Sequence, residues 1–68
     1  MAEGQRFVVV FRDAFDEQVL EIQDCPDLGL AILDAKRRAG GLGRANRELG
    51  EYYGVRVYPS GQIVYRAE

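Results

Sequence analysis

Apolar residues recur in this chain with two different periods, and the switches between them mark out the elements. Arg6 to Arg12, with Phe7-Val8-Val9-Val10-Phe11 at its centre, is β-branched and aromatic and predicts a strand. Asp13 to Glu17 is a short polar connection, and Gln18 to Gln23 predicts a second strand. On alternation, Phe7, Val9 and Phe11 share one side, and Leu20 and Ile22 supply a matching side. A connection of hairpin length favours antiparallel pairing.

From Asp24 onward the period lengthens to that of a helix. Asp24 or Cys25 can cap it, Pro26 fits the first turn where its missing N–H had no partner, and Asp27 faces the positive dipole end. Leu28, Ala31, Ile32, Ala35 and Ala39 then form one apolar stripe, with alanines small enough to let the helix lie close to a sheet. Lys36, Arg37 and Arg38 complement the negative end, and Gly40-Gly41 stops the helix. A second, shorter helix is predicted from Arg44 to about Tyr53, with Ala45, Leu49 and Tyr52 or Tyr53 inward and Gly54 as its stop. Gly50 inside it costs about 1 kcal/mol relative to alanine. One turn followed by a loop is the alternative.

Val55 to Tyr58, Pro59-Ser60-Gly61 and Gln62 to Arg66 predict a closing hairpin. Pro59 and Ser60 suit the centre of a type I turn, and Gly61 the left-handed residue of a bulge that closes a three-residue loop. That register pairs Val57 with Ile63, Arg56 with Val64 and Val55 with Tyr65, so Val55, Val57, Ile63 and Tyr65 share a face. Neither hairpin is stable alone in water, so both belong to one sheet. The expected fold is α+β: a four-stranded antiparallel sheet from two hairpins, one main helix on one face and a short second helix, in the order ββα(α)ββ. It forms a single domain over residues 1–68 with a flexible segment at 1–5, and the strand order stays open.

The same assignment fixes the sheet's other face, which carries Arg6, Val8, Val10, Arg12, Val19, Glu21, Arg56, Tyr58, Val64 and Arg66. Strand propensity alone would select valines there, and scattered apolar surface is normal. A recognition surface for a partner or a second copy fits the same residues, since Tyr and Arg dominate interface hot spots.

Composition narrows the chemistry. The chain has 47% hydrophobic and 29% charged residues, a globular balance. With no histidine it lacks the commonest general base, metal ligand and pH switch, and one cysteine excludes an internal disulfide or an all-Cys zinc site. No clustered acid/base pair is evident, so no catalytic residue, metal or cofactor is expected. Cys25 sits near a helix start, but Asp24 and Asp27 oppose a thiolate there. No apolar run approaches the roughly 20 residues that span a bilayer. One thiol and the lack of an export signal point to the cytoplasm, or a host's cytoplasm if a phage or other mobile element encodes the chain.

Net charge is −2, but residues 1–34 carry eight acids and two bases (−6), while 35–68 carry seven bases and three acids (+4). From Lys36 to Arg47 there are five cations and no acid. Capping and a solvated face explain much of this stretch, and its glycines would also permit phosphate contact. It lacks the Gly-Lys-Ser/Thr ending of a P-loop. Ala39 to Gly50, with its glycine pair, Arg44-Ala45 and Leu49-Gly50, resembles the first half of the helix-turn-helix of Fis-type DNA-binding proteins. The resemblance covers about twelve residues and ends there, because Tyr53-Gly54 leads into a strand instead of a recognition helix.

These observations lead to an expected function. The chain reads as a non-catalytic protein-binding module, such as an accessory, adaptor or inhibitor protein. Arg12, Arg56, Tyr58 and Arg66 would anchor a partner on the sheet face, and Arg38, Arg44 and Arg47 would form a basic rim. Polarised charge suits steering onto an oppositely charged surface. The alternative is nucleic-acid binding through Lys36–Arg47, RNA sooner than duplex DNA because no groove-reading helix is evident. A homodimer would use the outer-face valines.

Overall fold

The computed structural model describes residues 4–67. It contains β1 (Arg6–Asp13), β2 (Gln18–Cys25), α1 (Leu28–Ala39), α2 (Arg44–Glu48), β3 (Tyr52–Tyr58) and β4 (Gln62–Ala67). The strands form one antiparallel sheet in the order β2-β1-β3-β4, with α1 on one face. The expected fold class is therefore the observed one. Of the segment expected to be flexible, residues 1–3 lie outside the described range.

The strand order follows from what each strand can bury. Val8, Val9 and Val10 are all buried, so β1 needs cover on both faces and both edges and takes a central place. β2 carries Glu21, Gln23 and Asp24, all exposed, which suits an edge. The two hairpins thus join through β1 and β3. The assembly is a slab of 45 × 22 × 15 Å.

Beneath α1, Ala31, Ala35 and Ala39 meet Val9, Val55 and Ala67 in a small core, flanked by Phe7, Cys25, Ile32, Tyr53 and Tyr65. The alanine stripe allows the close approach that its small side chains imply. α1 lies chiefly over β3 and β1 and covers β2 least. Phe11, beyond the helix, packs on Tyr53 with ring centroids 4.9 Å apart.

Several local expectations are corrected. Asp27, rather than Asp24 or Cys25, caps α1, accepting the Gly29 N–H at 2.7 Å, because β2 runs on to Cys25. Gly40 is right-handed (φ −60°), so no left-handed glycine ends the helix. Instead Arg47 reaches back and donates to the Ala39 carbonyl at 2.6 Å. The second helix stops at Glu48, well before Tyr53. Gly50 turns the chain at φ +101°, and Tyr52, Tyr53 and Gly54 belong to β3.

The closing hairpin pairs Val57 with Gln62, Arg56 with Ile63 and Val55 with Tyr65. The expected pairs Val57–Ile63 and Arg56–Val64 do not form, because the extra residue sits at Val64 and not in the turn. Ile63 therefore shares Arg56's side of the sheet. The other edge has the same device: Val9 pairs with Gln23 and Val10 with Glu21, leaving Ile22 unpaired. That bulge shifts the alternation so that Cys25 faces the helix and Asp24 faces away. Both bulges lie on edge strands, where they discourage continuation of the ladder.

Candidate functional site: the arginine and tyrosine face of the sheet

The face opposite α1 is built by cross-strand rows. Arg6 stands opposite Tyr58 and Asp24 is opposite Val8, whose other neighbour is Arg56. Val10 lies between Glu21 and Gly54, and Arg12 between Val19 and Tyr52. Arg66 is beyond Gly54 on β4.

These side chains are tied together over β1. Arg56 on β3 and Glu21 on β2 approach to 3.3 Å, so their ion pair spans the intervening strand diagonally between Val8 and Val10. The Tyr58 hydroxyl donates to the same Glu21 carboxylate. Arg6 lies over the Tyr58 ring at 4.8 Å and meets Asp24 at 3.2 Å. At the other end Arg66 lies over the Tyr52 ring at 4.3 Å. Among the described residues, the Arg56 Nε is buried without an acceptor.

The consequence for the valines was not legible in the sequence. Val8 is 1% and Val10 0% exposed although no helix covers them. Long arginine and tyrosine side chains cover them, apolar stems inward and polar tips outward. What this face offers a partner is thus guanidinium, phenol and carboxylate rather than valine. Val19 is half-buried, and Val64 is exposed at the edge bulge.

Glu21 is the hub, and its carboxyl is held below the ordinary glutamate range. The Tyr58 hydroxyl bond is the main cause, opposed by burial and reinforced by Arg56. A carboxyl depressed in the folded state contributes stability above its unfolded value and loses it as pH falls through its folded value. Asp34 on α1 behaves alike, held down first by its bond from Arg38 and then by that from Arg37. We expect urea midpoints to fall as pH drops below the ordinary carboxylate range, and to fall less steeply in E21Q. Parallel pH profiles for the two proteins would remove Glu21 from this role.

The other expected site residues are dispersed. Arg38 sits on the α1 layer, 2.7 Å from an Asp34 oxygen, and Arg37 pairs with the same carboxylate. Arg47 serves the carbonyls of Ala39 and Leu42 at the α1–α2 corner. Arg44 is exposed on α2. Arg12, Arg56, Tyr58 and Arg66 share the far face, in two groups: Arg56 and Tyr58 around Glu21, and Arg12 and Arg66 around Tyr52.

Three contributors escaped the sequence reading as site residues. Arg6 and Glu21 lie on the expected face, but which charges meet there depends on which strand lies between two others. Tyr52 belongs to β3 rather than to the expected second helix. The alternation of Tyr52-Tyr53-Gly54-Val55-Arg56-Val57-Tyr58 was the available signal that the strand begins earlier.

Cys25 is half-buried. Burial, then Asp34 and Asp24, push its thiol upward, which makes a weak nucleophile. Among the described residues no group of three potential ligands could hold a metal ion, and no helix is long and apolar enough to cross a membrane. No family model, curated protein or solved structure matches this chain.

Proposed function

We propose that this chain is a non-catalytic protein-binding module that docks on a larger partner through the arginine and tyrosine face. The observation that carries the reading is the pre-ordered state of that face. Arg6, Arg56, Tyr58, Tyr52 and Arg66 are each held by an ion pair, a hydrogen bond or a stacked ring. Side chains fixed before binding lose less entropy on binding, and Arg and Tyr carry most of the energy in many interfaces. The stretch Lys36–Arg47 supports the nucleic-acid alternative less, since its arginines form no single surface: Arg37 and Arg38 bond Asp34 on α1, while Arg47 turns back to the Ala39 carbonyl.

The test is capture from a cell extract by the immobilised protein, before and after nuclease treatment. R6Q/Y58F removes the stacked pair and the bond to Glu21 at one end of the face. The expected result is a saturable protein partner, retained after nuclease, lost with R6Q/Y58F and kept by R37Q on the helix layer, with all three proteins folded by circular dichroism. Capture that nuclease abolishes, or that R6Q/Y58F leaves unchanged, would count against the proposal.

A further inference from the structure

We propose that the cleft where β3 begins and β4 ends is a carboxylate-binding site for an acidic side chain of a protein partner. This deepens the protein-binding reading and rests on it. The cleft has a volume of about 330 Å³ and is lined by Arg47, Gly50, Glu51, Tyr52, Arg66 and Ala67.

Two guanidinium groups, those of Arg47 and Arg66, line it, and that of Arg12 lies beside it against Gly50. Arg66 lies over the Tyr52 ring at 4.3 Å, which fixes its plane. Arg12 is the direct cross-strand partner of Tyr52, and its Nη1 lies against Gly50, 3.5 Å from where a Cβ would stand. Arg47 enters from α2, with its Nη2 bonded to the Ala39 carbonyl at 2.6 Å and its Nε 3.4 Å from that of Leu42. Against them stands one carboxylate, Glu51, which is buried and accepts from the Asn46 side chain at 2.8 Å.

Four of the other six arginines are matched with acids, and among the described residues Arg44 and Arg47 are not. Arg6 meets Asp24, Arg37 and Arg38 meet Asp34, and Arg56 meets Glu21. Among the described residues Arg12 and Arg66 have no such ion pair. Arg66 over the Tyr52 ring and Arg12 against Gly50, with no acid bonded to either among the described residues, offer forked donors that match the planar, two-oxygen geometry of a carboxylate. Holding Arg66 on the ring before binding removes part of the ordering loss.

The charge around the cleft favours a short acidic segment over a phosphate chain. Arg12 is followed by Asp13 at the end of β1 and by the β1–β2 turn with Asp16 and Glu17, and across the sheet lies Glu21. A polyanion extended along the face would meet these carboxylates. A single acidic side chain entering beside Tyr52 would not.

The probe is the single-carboxylate peptide acetyl-Ala-Glu-Ala-amide, titrated into the labelled protein while amide and arginine Nε–Hε resonances are followed by NMR. Shifts should saturate and centre on Gly50, Glu51, Tyr52, Ala67, Arg12 and Arg66. R12Q/R66Q should weaken binding by about tenfold or more, the loss expected when charge-assisted bonds go. R66K, which keeps the charge but loses the fork, should weaken it too, and covers the case in which the double variant fails to fold. R37Q, exposed on the helix layer, should bind within about twofold of wild type.

Shifts centred on Lys36–Arg44, unchanged binding by R12Q/R66Q and R66K, or tighter binding of a uridine oligonucleotide of matched charge would each overturn the proposal. The last result would give the cleft to nucleic acid. Because the capture experiment uses variants at the Arg6–Tyr58 end, the two ideas fail separately. Partner capture lost with R6Q/Y58F but no binding of the glutamate peptide keeps the docking face and removes the cleft, whereas saturable peptide binding with unchanged capture supports the cleft and removes the face.

Discussion

Gly54→Ala is expected to lower stability by about 3 kcal/mol, at the upper end for a substitution that overfills a packed interior. Gly54 is buried in the middle of β3, between Val10 and Arg66 in the ladder. A Cβ there would stand well inside van der Waals contact with the Tyr65 carbonyl oxygen and close to the Tyr52 ring. That oxygen belongs to the backbone of β4, so relief requires moving a strand and not rotating a side chain. A domain of this length has about 3–10 kcal/mol in all, so the variant approaches the limit of folding. Thermal melts followed by circular dichroism should show a fall of roughly 15 °C or loss of the transition. A melt within a few degrees of wild type would show that β4 yields easily, and that the close approach of these strands is not required.

Ala35→Leu is expected to lower stability by about 2–3 kcal/mol. Ala35 is fully buried at the centre of the helix–sheet contact, in one cluster with Val9, Val55 and Ala67. Leucine forms helix nearly as well as alanine, so the effect isolates packing from propensity. The added branched side chain has to push α1 away from β1 and β3, and so disturbs the contact that covers both. Ala45→Leu on α2, where Ala45 is exposed, is the matched control and should change the urea midpoint little. A stabilised A35L would mean that the core holds an unfilled space at that point. Equal effects of the two substitutions would mean that distance between helix and sheet is not what the alanine stripe sets.

Both substitutions disturb β3, one from its neighbour β4 and one from α1 above it, and β3 also carries part of the far face. Arg56 and Tyr58 are on the same strand as Gly54, and their bonds to Glu21 cross β1. A shift of β3 against β1 would change which arginine meets which acid. Stability and the proposed docking surface are therefore linked through one strand.

Much of the fold was legible because short-range patterns carry it. Phe7, Val9 and Phe11 alternate with Val8 and Val10, and Ala31, Ala35 and Ala39 recur at helical spacing, so element type and the inner face follow from period alone. The misreadings fall where two local rules compete. Gly50-Glu51-Tyr52-Tyr53-Gly54 continues a helical spacing from Ala45 and also begins a strand alternation. Gly50 at φ +101° resolves it in favour of the strand. In the last hairpin, Gly61 is left-handed as expected, at φ +79°. The bulge nevertheless lies at Val64, because edge-strand register answers to the neighbouring strand as well as to the turn.

The sequence by itself determined the element order, the helix-facing side of the central strands and a chain whose two halves carry opposite charge. Those features depend on residues a few positions apart, whose relations hold in any compact state. Only the tertiary structure decided that β1 lies between β2 and β3, and with it that Glu21 meets Arg56 and Tyr58 from more than thirty positions away. It also decided that Val8 and Val10 lie under a polar cover, and that Arg47 and Arg66 line one cleft with Tyr52 while Arg12 lies beside it. Contacts between side chains on non-neighbouring strands depend on strand order and register, and these are fixed by which surfaces can be buried together, a property of the whole chain that no local window contains.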